Sequence, residues 1–390
     1  MTEIVRLLLV EDNPQEQEEW KNTIQRQNVR ASLKANVNYV LTVVSTLEEA
    51  RAKIELCDFD AGIVDLRLAA PGKESMDRSG NEVLDILLQS ELAAIAMFTG
   101  EPSGADIPSY AKAQVKVFTK GGEENEGTSA VLNWLISETP MIICVRRAQK
   151  EIKKEMARFF FHSVWPRWSN WLEEPSIQNE DFLATAMARH ITSHVYASLL
   201  EKFKQRAHPE EWYVVPPIHE TLRTGDIVRH ANGTLEVVIT PRCDLATGKV
   251  ESIQLAVCDD ESLEWGKMLS AIEKYTAEQN AHTSKGEKIP DSVRQNLEKA
   301  QNKQRAFTQH RSKSSLHFLP PMKLSQNENI GPFMVRFDLI RSIPVNGDDA
   351  KSMLQKETRV ASVASEFLPS MVERLGTFFS RIGTPDYSHV

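Results

Sequence analysis

Over the first 138 or so residues, short apolar runs alternate with amphipathic stretches, the pattern of a parallel sheet covered by helices. The strand candidates are Arg6–Val10, Tyr39–Val44, Ala61–Val64, Ala94–Phe98 and Val115–Thr119. Between them the spacing predicts helices over Pro14–Gln27, Leu47–Leu56, Gly80–Leu92, a short one near Ile107–Ala113, and Thr128–Ser137. Asn13 is placed to cap the first of these, with Pro14 at its first helical position. Five strands alternating with five helices predict one α/β domain, a doubly wound five-stranded parallel sheet, over residues 1–138.

Residues 139–210 carry no strand signal and read as a helical connector of two long helices, Ile142–Leu172 and Glu180–Gln205, separated by a turn at Pro175. Residues 211–390 mix short β-like runs (Asp226–Arg229, Leu235–Thr240, Ser252–Cys258, Phe333–Ile340) with Gly and Pro punctuation, which predicts an α+β domain built on a small β-barrel or sandwich. A polar segment over 262–315 reads as a helical insertion with a mobile middle at Ser284-Lys285-Gly286. A last helix is expected over Ser362–Phe379, followed by a turn at Arg381-Ile382-Gly383-Thr384-Pro385.

Composition narrows the class. At roughly 150 residues per domain, 390 residues suit two or three domains, and 41% hydrophobic with 26% charged residues is ordinary for a soluble globular chain. No uninterrupted apolar run reaches the roughly 18 residues of a membrane helix, and the opening Met1-Thr2-Glu3-Ile4-Val5-Arg6 lacks signal-peptide character, so a cytoplasmic protein with no membrane partner is expected. Cys57, Cys144, Cys243 and Cys258 are scattered, against a disulfide framework or a zinc knuckle. A net charge of -8 and the lack of a basic recognition helix argue against sequence-specific nucleic-acid binding.

The candidate chemistry sits just past the ends of the first-domain strands. Leu7-Leu8-Leu9-Val10 is followed by Glu11 and Asp12, Gly62-Ile63-Val64 by Asp65, Ile95-Ala96-Met97-Phe98 by Thr99, and Val117-Phe118-Thr119 by Lys120. In an open parallel sheet these positions share one crevice. Three crowded carboxylates call for a compensating cation, and an all-oxygen shell suits Mg2+.

This set resembles the receiver domain of two-component response regulators, over about a third of the chain. The resemblance implies a flavodoxin-like fold with Asp65 as phosphoacceptor and Glu11, Asp12, Asp65 and the backbone carbonyl of Arg67 as Mg2+ ligands. It also implies that Thr99 turns toward the phosphoryl oxygens and that Lys120 pairs with their charge. Asp65 would attack a phosphohistidine of a histidine kinase or phosphotransfer protein while Mg2+ and Lys120 neutralise the transferring oxygens. The chain departs from the family pattern in three places. Gly121-Gly122 follow the lysine where proline is usual, Val117 occupies the position of the switch aromatic with Phe118 beside it, and Leu68–Ser79 is longer than the usual connection, either a lid or partner surface or a tolerated insertion.

Outside this domain the signals are weaker. His190 and His194 share a helix face without an obvious third ligand, and His162 lacks the acidic neighbour that supports phosphotransfer histidines. Trp165, Trp168 and Trp171 suit aromatic packing within the chain or across a homodimer. In Thr240-Pro241-Arg242-Cys243-Asp244, Arg242 could poise a thiolate, with His219 or His230 as a base; a structural turn capped by Asp244 is the favoured reading. Arg359, Arg374 and Arg381 suit either an anion or solvent.

The expected function is therefore a response-regulator-like signalling protein, phosphorylated on Asp65 and acting through contacts with a downstream effector protein. The alternative is a phosphorylation-regulated effector enzyme with an active site near Cys243 and Asp244. The layout also resembles proteins of bacterial antiviral defence operons, including Detocs-type phosphorelays, in which such an acceptor could serve as a phosphoryl buffer.

Overall fold

The five apolar runs of the first stretch become strands β1 (Glu3–Val10), β2 (Val37–Val44), β3 (Ala61–Val64), β4 (Ala94–Thr99) and β5 (Lys116–Thr119) in a computed structural model of the chain. The structure describes residues 2–32, 37–68, 78–121, 127–173, 180–201, 207–346, 355 and 358–380. They belong to two units, Met1–Lys202 and Phe203–Val390, each taken by itself below.

In the first unit every strand pair is parallel and the order is β2-β1-β3-β4-β5. This is the flavodoxin-like order, with a switch point between β1 and β3. Alternation along β1 assigns its side chains to two cores. Val5, Leu7 and Leu9 pack with Trp20 and Ile24 of α1 (Pro14–Ser32) and with Val131 and Leu135 of α4 (Thr128–Phe159). Leu8 and Val10 pack with Ala50 and Ile54 of α2 (Leu47–Leu56) and with Val83, Leu84 and Leu87 of α3 (Gly80–Ser90). As expected, Asn13 caps α1, its Oδ1 accepting from the Gln15 amide at 2.9 Å.

Two expectations fail here. Ile107–Ala113 is a series of turns, because Pro108 interrupts the segment and only Ala111 within it is buried, too little to hold an isolated turn of helix. Nor does a break separate Thr128–Ser137 from the connector: α4 runs unbroken through Pro140. An interior proline costs about 3 kcal/mol, but α4 is fastened on both sides of it. Thr139 Oγ1 lies 2.8 Å from the Tyr39 hydroxyl, and Arg146 reaches Asp60 at 2.6 Å and the Ile4 carbonyl. Arg147 pairs with Glu3 at 2.7 Å and Lys153 with Asp58.

After α4 the helix tightens and loosens in turn, with a π-type turn at Phe160–Val164, a 3-10 turn at Trp165–Arg167 and then α5 (Trp168–Leu172), so the three tryptophans do not share one regular helix face. The whole stretch Thr128–Leu172 is long and apolar enough to cross a membrane by length and composition, yet Val131, Leu132, Leu135 and Ile142 within it are buried against the sheet. Helix α6 spans Glu180–Glu201; the expected turn at Pro175 and the helix end at Gln205 lie outside the described residues.

The second unit contains a seven-stranded antiparallel sheet. Its strands are β6 (Tyr213–Val214), β7 (Asp226–Arg229), β8 (Leu235–Val238), β9 (Ser252–Asp260), β10 (Leu316–Leu319), β13 (Phe333–Pro344) and β14 (Arg359–Val363), ordered β10-β13-β9-β8-β7-β14-β6. A small pair, β11 (Met322–Lys323) with β12 (Asn329–Ile330), stands beside it. Short α7 covers Arg242–Thr247, and the expected insertion is a helix pair, α8 (Ser262–Ser284) and α9 (Asp291–Thr308). The last helix, α10 (Leu368–Phe379), starts later than the sequence suggested. Ser362 and Val363 belong instead to β14, where Arg359, Ala361 and Val363 point inward with a period of two. Arg381 and its turn lie outside the described residues.

His317, 1% exposed on β10, stacks on His310 with ring centroids 4.8 Å apart, and neither of its ring nitrogens has a hydrogen-bond partner. Burial lowers its pKa to about 3, helped by the neighbouring His310 and Arg374, and burial likewise lowers that of His310 to about 4. The unfolded chain binds these protons near pH 6.5 and the folded chain does not, so both groups favour the folded state above that pH and disfavour it progressively below.

Two outcomes are expected. Acidification from pH 6.5 toward 4 should destabilise the second unit by up to about 1.4 kcal/mol per pH unit for each histidine, and His317→Phe should flatten that dependence in denaturant titrations. A Cβ on Gly80 would lie 2.0 Å from the Asp65 carbonyl oxygen and 2.7 Å from Leu66 Cα, both backbone. Gly80→Ala should therefore cost about 1–3 kcal/mol or more, read as a lowered denaturation midpoint.

Candidate functional site

The parallel register delivers the candidate residues to one edge of the first sheet. Val10 pairs with Val64, so the residues that follow, Glu11 and Asp65, leave the sheet side by side, with the Asp65 amide donating to the Val10 carbonyl at 2.9 Å. Thr99 ends β4, and the amide of Lys120, just past β5, donates to the Thr99 carbonyl at 3.0 Å. The sheet's switch point lies at the same edge, where open α/β sheets bind ligands.

Here carboxylate oxygens of Glu11, Asp12 and Asp65 all lie within 4.8 Å of one another. The Lys120 ammonium sits among them, donating to Glu11 Oε2 at 2.6 Å and Asp65 Oδ2 at 2.9 Å, with Glu16 Oε2 at 2.8 Å. Its nitrogen is 5.7 Å from the Phe98 ring centroid, a cation–π contact that also fixes the lysine stem. Glu11 is 1% exposed and Asp65 8%. Burial pushes the Glu11 carboxyl up to about 7 against the opposing hydrogen bond from Lys120, and the Asp65 charge adds to the rise. Burial alone would depress the Lys120 ammonium, but hydrogen bonds to Glu11, Glu16 and Asp65 raise its pKa above the ordinary lysine value. One cation among several carboxylates leaves the site short of positive charge.

Thr99 is buried and its hydroxyl oxygen accepts from the Glu101 amide at 3.2 Å. Glu101 in turn holds two guanidinium groups, Arg67 with Nε at 2.9 Å and Arg78 at 3.0 Å. The Arg67 side chain is thus directed to Glu101, while its backbone carbonyl remains the group the sequence proposes as a metal ligand. Gly121 adopts φ +76°, a left-handed conformation open to glycine, in the turn where the family pattern has proline. Gly122 and most of the long Leu68–Ser79 connection lie outside the described residues. Val117 is 37% exposed on β5, and it is Phe118 that packs inward on Trp134, with ring centroids 5.9 Å apart.

Glu16, Glu101 and Arg78 were missed by the sequence reading. Glu16 carried a signal, since it lies in the first turn of a helix that begins directly after Asp12. Glu101 and Arg78 carried none, because the pairing joins segments 23 residues apart.

Oxygen ligands about 2.1 Å from Mg2+ lie roughly 3–4 Å from one another, so the three carboxylates can share one hard cation with little movement. Among the described residues this is the one group of three metal-ligating side chains so close together. His190 and His194 instead engage aromatic rings: His194 stacks on Phe159 at 3.8 Å, and His190 meets Phe159 at 5.1 Å and Trp171 at 5.5 Å. His162 lines a cavity beside His194 and Glu155. Cys243 is exposed, its thiol donating to Asp244 at 3.5 Å, and no side chain caps α7, so the expected cap by Asp244 is absent. Arg374 is spent on the Leu316 and Lys313 carbonyls and Arg359 on Asp226.

No protein-family description matches the chain, and no curated protein matches it. Among solved structures, response regulator protein TrrA from Thermotoga maritima, in a crystal structure with Mg2+ and BeF, is similar over 34% of this chain and 98% of that chain, with 19% sequence identity and a TM-score of 0.24.

Because the cluster is short of positive charge, a divalent cation should stabilise the folded chain. At ten times its dissociation constant the gain is about 1.4 kcal/mol, seen as a raised unfolding midpoint in Mg2+ that EDTA reverses. Asp12→Asn should weaken the effect by removing one of the three carboxylates.

Proposed function

We propose that this chain is a receiver-type signalling protein that accepts a phosphoryl group on Asp65, with Mg2+ as cofactor and a histidine kinase or phosphotransfer protein as donor. The observation that carries the reading is the meeting of Glu11, Asp12, Asp65 and Lys120 at one sheet edge, from three strands far apart in sequence. Glu11, Asp12 and Asp65, with the Arg67 carbonyl, would hold the metal, whose chemistry is to polarise the phosphoryl oxygens and neutralise their charge.

The residues of the chain then have distinct parts. An Asp65 carboxylate oxygen attacks phosphorus in line, forming the acyl phosphate bond as the phosphorus–nitrogen bond to the donor imidazole breaks and the electron pair leaves with that ring. Lys120, already 2.9 Å from Asp65 Oδ2, would follow the phosphoryl charge. Thr99 would exchange its present bond with the Glu101 amide for one to a phosphoryl oxygen, and Glu101 carries Arg67 and Arg78 with it. Added charge at Asp65 can therefore reach the surface around Arg67 and Arg78 through a short hydrogen-bonded chain, which suits an output by contact with an effector protein. A phosphoryl reservoir within a defence phosphorelay would use the same acceptor chemistry.

Labelling by a small phosphodonor such as acetyl phosphate tests the reading. Labelling should require Mg2+ and be abolished in Asp65→Asn, whose stability should not fall, since it removes one charge from a crowded cluster. Undiminished labelling of the variant would refute the assignment.

A further inference from the structure

The second unit holds a cavity of about 270 Å³ whose chemistry the receiver reading does not use. Its walls come from β6, β7, β14, α10, the segment before β7, and Arg242 at the start of α7. Arg223, Arg242 and His219 all line it. Asp226 lines it too, but this carboxylate is already engaged: 2% exposed, it accepts from Arg359 at 3.1 Å, from the Arg223 amide at 2.9 Å and from the Ser362 hydroxyl. Arg359 also donates to the carbonyls of Glu220 at 2.7 Å and Thr221 at 3.1 Å, so the buried ion pair fixes the backbone that carries His219 and Arg223. The Thr224 hydroxyl is likewise spent, on the Thr240 carbonyl.

Arg359 thus neutralises Asp226, and the guanidinium groups of Arg223 and Arg242 are left over. Among the described residues neither forms an ion pair or side-chain hydrogen bond, and neither does the His219 ring. With Asp226 already paired to Arg359, the two guanidinium groups leave this cavity with net positive charge among its described residues. The rest of the wall is mostly apolar, with Val214, Ile218, Val363 and Leu368, and Ser365 adds a hydroxyl that donates to Glu366. The volume falls below the usual range for drug-sized ligands, which admits a small organic anion and excludes a dinucleotide.

We infer that this cavity binds a small phosphate monoester, its dianionic phosphate held between Arg223 and Arg242 with His219 alongside, and its organic part against Val214, Val363 and Leu368. Two guanidinium forks match the charge and the three terminal oxygens of a phosphate monoester, where a carboxylate would satisfy one fork. Arg242 was the cation and His219 one of two candidate bases of the supposed thiol site, yet Cys243 and Asp244 do not line the cavity, so the pairing that the structure brings together is for binding an anion.

The test uses the full chain in EDTA, which keeps the acidic cluster of the first unit free of metal, with phenyl phosphate, benzoate and phenol as probes in calorimetric titrations. Phenyl phosphate should bind, benzoate at least tenfold more weakly, and phenol not measurably. Arg242→Gln, at an exposed position where folding should be unaffected, and Arg223→Gln should each weaken phenyl phosphate binding at least tenfold, while Asp65→Asn should leave it unchanged. Equal binding of phenol would show an apolar cavity, and equal binding of benzoate a carboxylate site. Either result, unchanged affinity in both arginine variants, or loss of binding in Asp65→Asn would overturn the assignment.

Discussion

Carboxylates crowded around one half-buried ammonium are the constraint on which the first unit turns. Glu11 and Asp65 are nearly inaccessible to water, and Lys120 is the cation that directly bonds both. Burying such charges is tolerable only when they are paired and hydrogen-bonded. The backbone supplies the pairing by register: β1, β3 and β5 must all end at the same level for the three side chains to meet. Gly80 closes the arrangement from above, its lack of a side chain letting α3 start against the Asp65 carbonyl. A charge imbalance held in a rigid frame responds strongly to one added cation or phosphoryl group, and that is the property a phosphorylation switch needs.

The opposite edge of the sheet solves a different problem. Asp60, just before β3, accepts from the Arg6 amide at 2.7 Å and from Arg146 at 2.6 Å. Together with the Glu3 and Asp58 pairs, this fastens the distal half of α4 along the bottom of the sheet. The carboxylate edge and the long helix are thus joined through one sheet, whose strands are too tightly packed to deform continuously.

In the second unit a single buried ion pair, Asp226 with Arg359, does comparable work. Arg359 is fully buried on its side chain, and its two terminal nitrogens are distributed between the carboxylate and two carbonyls, while its Nε has no partner. Removing either partner would leave a buried charge unpaired, a loss that typically costs about 3–5 kcal/mol. The pair ties β14 to β7 and to the segment before it, and so shapes the cavity that Arg223 and Arg242 line.

The sequence by itself determined the five strands of the first unit and which polar residues gather at their ends. Strand β3 and helix α2 begin and end where the pattern placed them, and Glu11, Asp12, Asp65, Thr99 and Lys120 all follow apolar runs. Local pattern suffices there, because a buried parallel strand is continuously apolar and its end is marked by the first polar residue. Tertiary structure decided the rest. Pro140 reads as a break, and distant partners such as Tyr39 and Asp60 override it. Ser362 and Val363 were expected to open the last helix, until pairing with β6 and β7 placed them in a strand with Arg359. Glu16, Glu101 and Arg78 joined the site only through contacts across the fold. Arg359 looked like a solvated or anion-binding charge until Asp226, 133 residues away, claimed it. Periodicity reports what a residue does to its neighbours in sequence; the partner that satisfies a buried charge is chosen by the fold.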